Sequence, residues 1–543
     1  MTKLAKWPLF LFLLTSLIAA EAQIITAASC NASDVQTALN SVAADGTTVV
    51  IPSGTCTWTT GAPSVTYTQT YSTVLQGQTT VTCSGTPGST GYSCSATDNT
   101  TIVDNTSHSG GDNAALVVTT AASKSFRMTG ITFAQNSSSN QSYNGYAFNI
   151  QGSSQAVRID HLHVSITQNN SLAFQTNGTW SGVFDHMYLY SSQGGSGWRD
   201  HMTGNGDADW NTATNFGTSG SGWRYYESNF IDGMSNDDIL GGRMAYRFNT
   251  YQRSACSPCT EPLQTHATGS AGDGRGGRAL EIYNNSFLNT GSAADTMIEM
   301  TSGTGLFFGN TQTGSWNNFI RVDVNRICAP GVCGANTGYS VSATPAGWGY
   351  CGTTSGPSAW DQNQDSTGYH CIDQIGMGQG DLLSGTFPNK CDSTTGCTTY
   401  NGTWPNQKSE PVYEWMDTPA SGATYFGSLA TNVVKPNADY YLWCNASSAS
   451  GCTSFNGTVG VGSGALASMP SSCTAGVAYW ATDQGNWNQS GSGGQGVLYK
   501  CTATNTWSQF YTPYTYPHPL TQSSTASTGT PPPPPTGLQA VVN

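Results

Sequence analysis

Seven short segments recur through the middle of the chain with one internal pattern. They are FRMTGITF, VRIDHLHV, GVFDHMYL, RYYESNFI, AYRFNTYQ, EIYNNSFL and LFFGNTQT. Aligned, one column reads Gly130, His161, His186, Ser228, Asn249, Asn285, Asn310, at intervals of 31, 25, 42, 21, 36 and 25 residues. Such recurrence constrains the fold strongly, because one unit cannot bury its apolar side alone and must stack on the next. The short intervals fit one coil of a parallel β-solenoid, and the long ones fit a coil plus an inserted loop. Two positions on, the column reads Thr132, His163, Tyr188, Phe230, Tyr251, Phe287, Gln312. Its aromatic middle predicts an inward stack. The asparagines predict a turn ladder in which side-chain amides satisfy one another and the backbone.

The expected fold class is therefore all-β. It is a right-handed parallel β-helix, or solenoid, with an N-terminal capping helix and long loops stapled by disulfides. Composition agrees: 64 glycines and 9% charged residues suit short strands and turns. The 15 Trp, 25 Tyr and 18 Phe supply the apolar area that a disordered chain lacks. A net charge of −13 excludes a basic nucleic-acid footprint.

Residues 1–22 read as a secretory signal. Lys3 and Lys6 begin it, Trp7 to Ala20 is apolar, and Ala20-Glu21-Ala22 is a small-x-small cleavage site. No later segment is apolar enough to span a membrane. Sixteen cysteines fit an oxidising compartment. Several are close in sequence (Cys83/Cys94, Cys256/Cys259, Cys328/Cys333, Cys391/Cys397, Cys444/Cys452) and predict local staples without fixing connectivity. The expected localisation is secreted, extracellular or at the cell surface.

The expected domains are 1–22 signal peptide and 23–325 N-terminal cap and β-helix coils. Residues 326–520 follow as further coils with Cys-rich loops, or as a C-terminal subdomain. Then come 521–536, a Ser/Thr/Pro-rich linker, and 537–543, a strand-like tail suited to self-association by strand pairing. In the cap, Val35, Leu39 and Val42 have helical spacing with Ser33 or Asp34 as N-cap, ahead of the strand TTVVIPSGTC.

The entry CNASDVQTALNSVAADGTTVVIPSGTCTW resembles that of the pectate-lyase-like superfamily of right-handed parallel β-helix proteins. Ile159-Asp160-His161 with Ser165 is similar to a signature strand of pectate lyases. The resemblance is one of pattern and names no specific enzyme family. It implies the pectin-lyase fold and carbohydrate chemistry. The family's Arg-x-Pro-x-x-Arg segment has no counterpart here, nor does the polygalacturonase-type set of Asp, Asp-Asp and His-Gly, so family catalytic residues are not carried over.

The candidate catalytic residues are Asp238, Arg243, Arg247, His266, Arg278 and Glu281. Six arginines fall between 224 and 278 in an otherwise charge-poor chain, so they suit the carboxylates of an acidic sugar and a base for β-elimination. An ion-pair ladder between coils explains them equally well. Trp198, Trp210 and Arg275, in two insertions over 191–222 and 252–277, are candidates for substrate binding. Asp160 and Asp185 share a column and are candidate Ca²⁺ ligands, the sole cofactor expected. The reading is a lyase or glycoside hydrolase acting on acidic glycans, its partner a polysaccharide. The alternative is a non-catalytic extracellular structural, matrix or filament-forming protein.

Overall fold

The computed structural model describes residues 23–322, except 60, 62, 107, 109–112, 136–144, 168–170, 193–196, 202–211, 221, 235–236, 254–260, 266–276 and 295. It also describes 375–378, 408–428, 434–444 and 454–522. The described residues are nearly all β. Three long sheets of twelve, nine and ten parallel strands hold most of the chain, which visits them in rotation, one strand per sheet per coil. One coil runs Val157–Asp160 in the first sheet, His163–Ile166 in the second and Ser171–Thr176 in the third; the next starts at Gly182–Asp185.

Within these three sheets the strands turn one face to a common core. In the first sheet the inward column is Val49, Leu75, Met128, Ile159, Phe184, Tyr226, Tyr246, Ile282 and Phe307, all buried. Each such side chain contributes about 1.5–3 kcal/mol of burial, and stacking repeats that term coil after coil.

The second-sheet register corrects one expectation. The true column is Thr132, His163, Tyr188, Phe230, Thr250, Ser286, Thr311. The sequence alignment slips by one residue from the fifth coil onward. Side chains alternate with period two, so that slip exchanges faces. The interior stack is Phe133, Val164, Leu189, Ile231, Tyr251, Phe287 and Gln312, whereas His163, Tyr188 and Phe230 face outward. The ladder shifts likewise: it holds Asn229 rather than Ser228. The Asn229 amide donates to Asn249 Oδ1 at 3.0 Å, Asn249 to Asn285 at 3.2 Å, Asn285 to Asn310 at 2.9 Å and Asn310 to Asp417 at 3.0 Å.

The helix Ala32–Asn40 packs Val35, Ala38 and Leu39 into the core next to the first third-sheet strand, Val65–Thr68. Its N-cap is Asn31, two to three residues earlier than expected, and makes no side-chain cap bond. Disulfides join Cys30–Cys56, Cys83–Cys94 and Cys473–Cys501. Of these three bonds, Cys83–Cys94 is one of the close pairs expected from sequence; Cys444 is also disulfide-bonded, and the other expected close pairs lie outside the described residues. Cys30–Cys56 and Cys473–Cys501 bridge 26 and 28 residues and bring together positions that only the fold makes neighbours.

After residue 326 the strands Val412–Trp415 and Tyr440–Tyr441 extend the first sheet, and Thr424–Ser428 the third. A four-stranded sheet follows (Val461–Gly464, Ala478–Ala481, Val497–Ala503, Thr506–Tyr511). It packs Trp480, Leu498 and Tyr511 against Phe308, Tyr413 and Trp415 on the outside of the first sheet. Among the described residues no helix is long and apolar enough to cross a membrane.

Candidate functional site

The outer face of the first sheet carries most of the candidate charged residues, and the register rearranges them. Arg243 pairs with Ala279, Ala245 with Glu281 and Arg247 with Tyr283, so Glu281 lies level with the space between the two arginines, and Arg278 precedes the paired strand. Arg243, Arg247, Arg278 and Glu281 are all fully buried. Arg247 donates to Glu227 Oε2, to Tyr283 Oη at 2.8 Å and to the carbonyls of Tyr514 and Thr515 at 2.6 and 2.8 Å. Its guanidinium lies 4.5 Å from the Tyr225 ring and 5.3 Å from that of Tyr516. Glu281 accepts from Gly217 N at 2.6 Å and Tyr511 Oη at 2.7 Å, and burial pushes its carboxyl up to about 7. Arg278 pairs with Glu410 at 3.0 Å. Arg247 and Glu281 therefore clamp the C-terminal segment onto the sheet, while Arg243 holds Thr212 and Ala213 and Arg278 holds Thr212 and Glu410. The same apolar cover that makes their hydrogen bonds strong keeps a polymer away from them.

Asp160 and Asp185 do share a column, but each is already satisfied. Arg127 donates to both oxygens of Asp160 at 2.7 Å, and Arg158 to both oxygens of Asp185 at 2.9 Å. Burial opposes ionisation of Asp160, but hydrogen bonds from Arg127 and His161 outweigh it and hold the carboxyl well below its ordinary range. A bidentate guanidinium occupies the positions that Ca²⁺ would take, so these residues do not fit the ion. Among the described residues no group of three or more His, Cys, Asp or Glu could hold a metal.

The third sheet was not legible in the sequence segments aligned above. Its strands lie where loops were expected, including Trp198–His201 and Leu263–Thr265 inside the two insertions. Its outward column reads Asn149, Gln175, Arg199, Asp238, Gln264, Glu299, Arg321 on seven successive rungs. The alternate positions Ile239, Leu263, Ile298, Met300, Ile320 and Val322 belong to the core. Gln264 donates to Glu299 at 3.1 Å, and Arg321 pairs with the same oxygen at 2.5 Å. Arg199, partly exposed, donates to Tyr146 Oη at 3.1 Å. Glu299 is buried, while Arg321 keeps part of its side chain exposed. Arg199, Gln264, Glu299 and Arg321 were missed as candidates; period-two alternation in LQT, IEM and NFIRV was the available signal.

Trp198 is 2% exposed and stacks between Phe174 and Tyr226 at 5.8 and 5.7 Å, so it is a core residue and not a sugar platform. Asp238 takes its rung by backbone register. His266, Arg275 and Trp210 lie outside the described residues.

No protein-family model matches the chain, and no curated protein matches it. Among solved structures, the chain is similar to an alginate lyase from Paenibacillus sp. str. FPU-7. That likeness has 15% identity and a TM-score of 0.30, and covers 55% of this chain and 99% of that one.

Proposed function

We propose that this chain is a secreted, polysaccharide-active protein built as a right-handed parallel β-helix, with its working face on the outside of the third sheet. The observation that carries the reading is the Arg199–Asp238–Gln264–Glu299–Arg321 column, which concentrates charge on consecutive rungs. Of the three outer faces, the first is covered by the C-terminal sheet. The second presents Val103, Ala134, Ser165, Tyr190, Asp232, Gln252 and Leu288, with one charge among them. Rungs repeat at about 4.8 Å, close to the advance of one pyranose in an extended chain. Asn149, Gln175, Gln264 and Glu299 are buried in this column, so a glycan lying along it would meet Arg199 and Arg321, with the buried groups behind them. Arg321 and Arg199 offer partly exposed side chains to sugar carboxylates. β-Elimination from an acidic glycan is the first reaction. Glycoside hydrolysis is the second, with Asp238 and Glu299 two rungs apart in the backbone register. Exported disulfides and the leader-like residues 1–22 support secretion.

The test is a panel of acidic and neutral polysaccharides assayed for unsaturated products by absorbance and for new reducing ends. Turnover per folded molecule that falls in Arg199→Ala and Arg321→Ala supports the reading. Absence of both signals on every glycan, together with ordered self-assembly, favours the structural alternative.

A further inference from the structure

The four-stranded C-terminal sheet turns one face to the first sheet and the other outward. Trp480 is registered with Leu498, and Leu498 with Tyr511; these three pack against the first sheet. Side chains alternate along a strand, so the neighbouring row, Gly462, Tyr479, Tyr499 and Gln509, faces outward. Trp507, two residues before Gln509, lies on that same outer face. Gly462 has no side chain, and the Phe455 ring fills its place: a Cβ there would collide with that ring. Phe455 stands 5.9 Å from the Tyr479 ring. The outer face is thus an aromatic strip, Phe455, Tyr479, Tyr499 and Trp507, flanked by an exposed Gln509. Tyr479 is buried, and the other three rings are partly exposed. Two rings are fixed by their polar ends. Tyr479 Oη donates to Ala465 O at 3.0 Å, and Trp507 Nε1 to Pro470 O at 2.7 Å. Charge is sparse here. Residues 454–522 carry a single Asp, Asp483, a single Lys, Lys500, and no Glu or Arg. Lys500 lies on the inner face, its Nζ over the rings of Tyr413 and Phe510. Asp483 accepts from Leu466 N at 2.8 Å.

We propose that this strip is a binding surface for an uncharged, extended glycan, separate from the charged third-sheet column. A sugar ring presents C–H groups on its faces and hydroxyls around its edge. An aromatic ring carries negative charge density on its face, which attracts polarised C–H groups. A face without charges gives up no ion hydration when a sugar covers it. Gln509, whose amide donates to Thr512 Oγ1 at 3.1 Å, keeps its carbonyl and a second N–H for a sugar hydroxyl. A glycan bearing carboxylates finds no cation on this face to pair with. Strands lie about 4.8 Å apart, so the four strands span about 14 Å, the length of a short oligosaccharide. The surface holds the chain on a neutral matrix whether or not the third sheet turns over an acidic glycan, so the two readings stand or fall separately.

The experiment is calorimetry of the full chain with cellohexaose, mannohexaose and chitohexaose as neutral probes, and with hexaguluronate and hexagalacturonate as acidic ones. Tyr499→Ala removes a partly exposed ring from the middle of the strip, and Tyr499→Phe keeps it. Phe510→Ala removes an aromatic that is 39% exposed beside Lys500, on the opposite face. Circular dichroism checks that each variant is folded. The expected result is saturable binding of at least one neutral hexamer, unchanged between about 50 and 500 mM salt. Binding weakens about fivefold or more in Tyr499→Ala. It is kept in Tyr499→Phe, in Phe510→Ala and in Arg321→Ala, the last of which reads the third-sheet column instead. No saturable binding of any neutral hexamer overturns the proposal, as does equal affinity in folded Tyr499→Ala. Binding of the acidic hexamers that depends on Tyr499 overturns the assignment to uncharged glycans.

Discussion

Arg247 donates through Nε and Nη2 to one oxygen of Glu227, at 2.9 and 2.7 Å, with neither side chain reachable by solvent. The other Glu227 oxygen accepts from His518 N at 2.7 Å, so the pair ties two coils to the C-terminal segment. Removing one partner strands a buried charge. Arg247→Ala should cost about 3–5 kcal/mol, and Arg247→Met with Glu227→Leu should recover much of that loss. Urea unfolding of the single and double variants checks both. A single variant as stable as the parent would refute the clamp.

Stability should fall as pH rises from the acid side toward neutrality. Burial raises Glu281 and Glu414 from 4.5 to about 7, and Asp417, buried beside Glu414, is raised well above its ordinary range. These carboxyls hold their protons more tightly in the folded chain than in the unfolded one. Their contribution is therefore complete below about pH 4.5 and is lost as pH climbs through 7, with each glutamate accounting for a loss on the order of 3 kcal/mol. Asp160, depressed by Arg127, acts oppositely and loses its contribution below its ordinary 3.8. Denaturation midpoints from pH 4 to 8 should decline, and Glu281→Gln should flatten the decline. An equal slope in that variant would remove Glu281 as a cause. Asp417→Asn should stabilise the chain at pH 8, since the acceptor role toward Asn310 survives and the charge does not.

Asn249 sits inside its ladder and makes the same set of bonds as Asn285 and Asn310. Its Oδ1 accepts from Asn229 N and Nδ2 at 2.9 and 3.0 Å, and its amide donates to Tyr226 O at 2.7 Å. Asn249→Ala leaves a buried N–H and a buried carbonyl without partners, at about 1–3 kcal/mol each. Chemical denaturation should show a loss of that size. A loss under about 1 kcal/mol would mean the ladder adds little beyond the strand bonds.

Trp198→Ala should destabilise by about 3–5 kcal/mol, as expected for an aromatic removed from a packed core. Glycan affinity per folded molecule should not change. Calorimetric binding on folded variant and parent distinguishes this from a surface platform, which would show the reverse.

The tight turns show how far the sequence could be read. Gly130, His161 and His186 hold positive φ where the alignment placed turns, because few residue types accept that conformation. Phe248 holds φ 53° too, and a bulky residue there gives no such signal. The alignment therefore passed over Phe248 to Asn249, and every later rung moved by one. The charged candidates failed differently. Arg243, Arg247, Arg278 and Glu281 look like surface residues in any sequence reading; segments 30 to 268 residues away in the chain cover them.

By itself the sequence determined that the chain stacks: repeated β-prone units with turn residues between them have no other way to bury their apolar sides. It also determined the asparagine rungs, since a buried amide in a repeated turn must find its partner in the next turn. Only the tertiary structure decided which face each charge occupies, because a one-residue register shift inverts every side chain. It alone brought Tyr511–His518 over Arg247, and Arg199 and Arg321 into one column, because such contacts between distant segments leave no local periodicity to read.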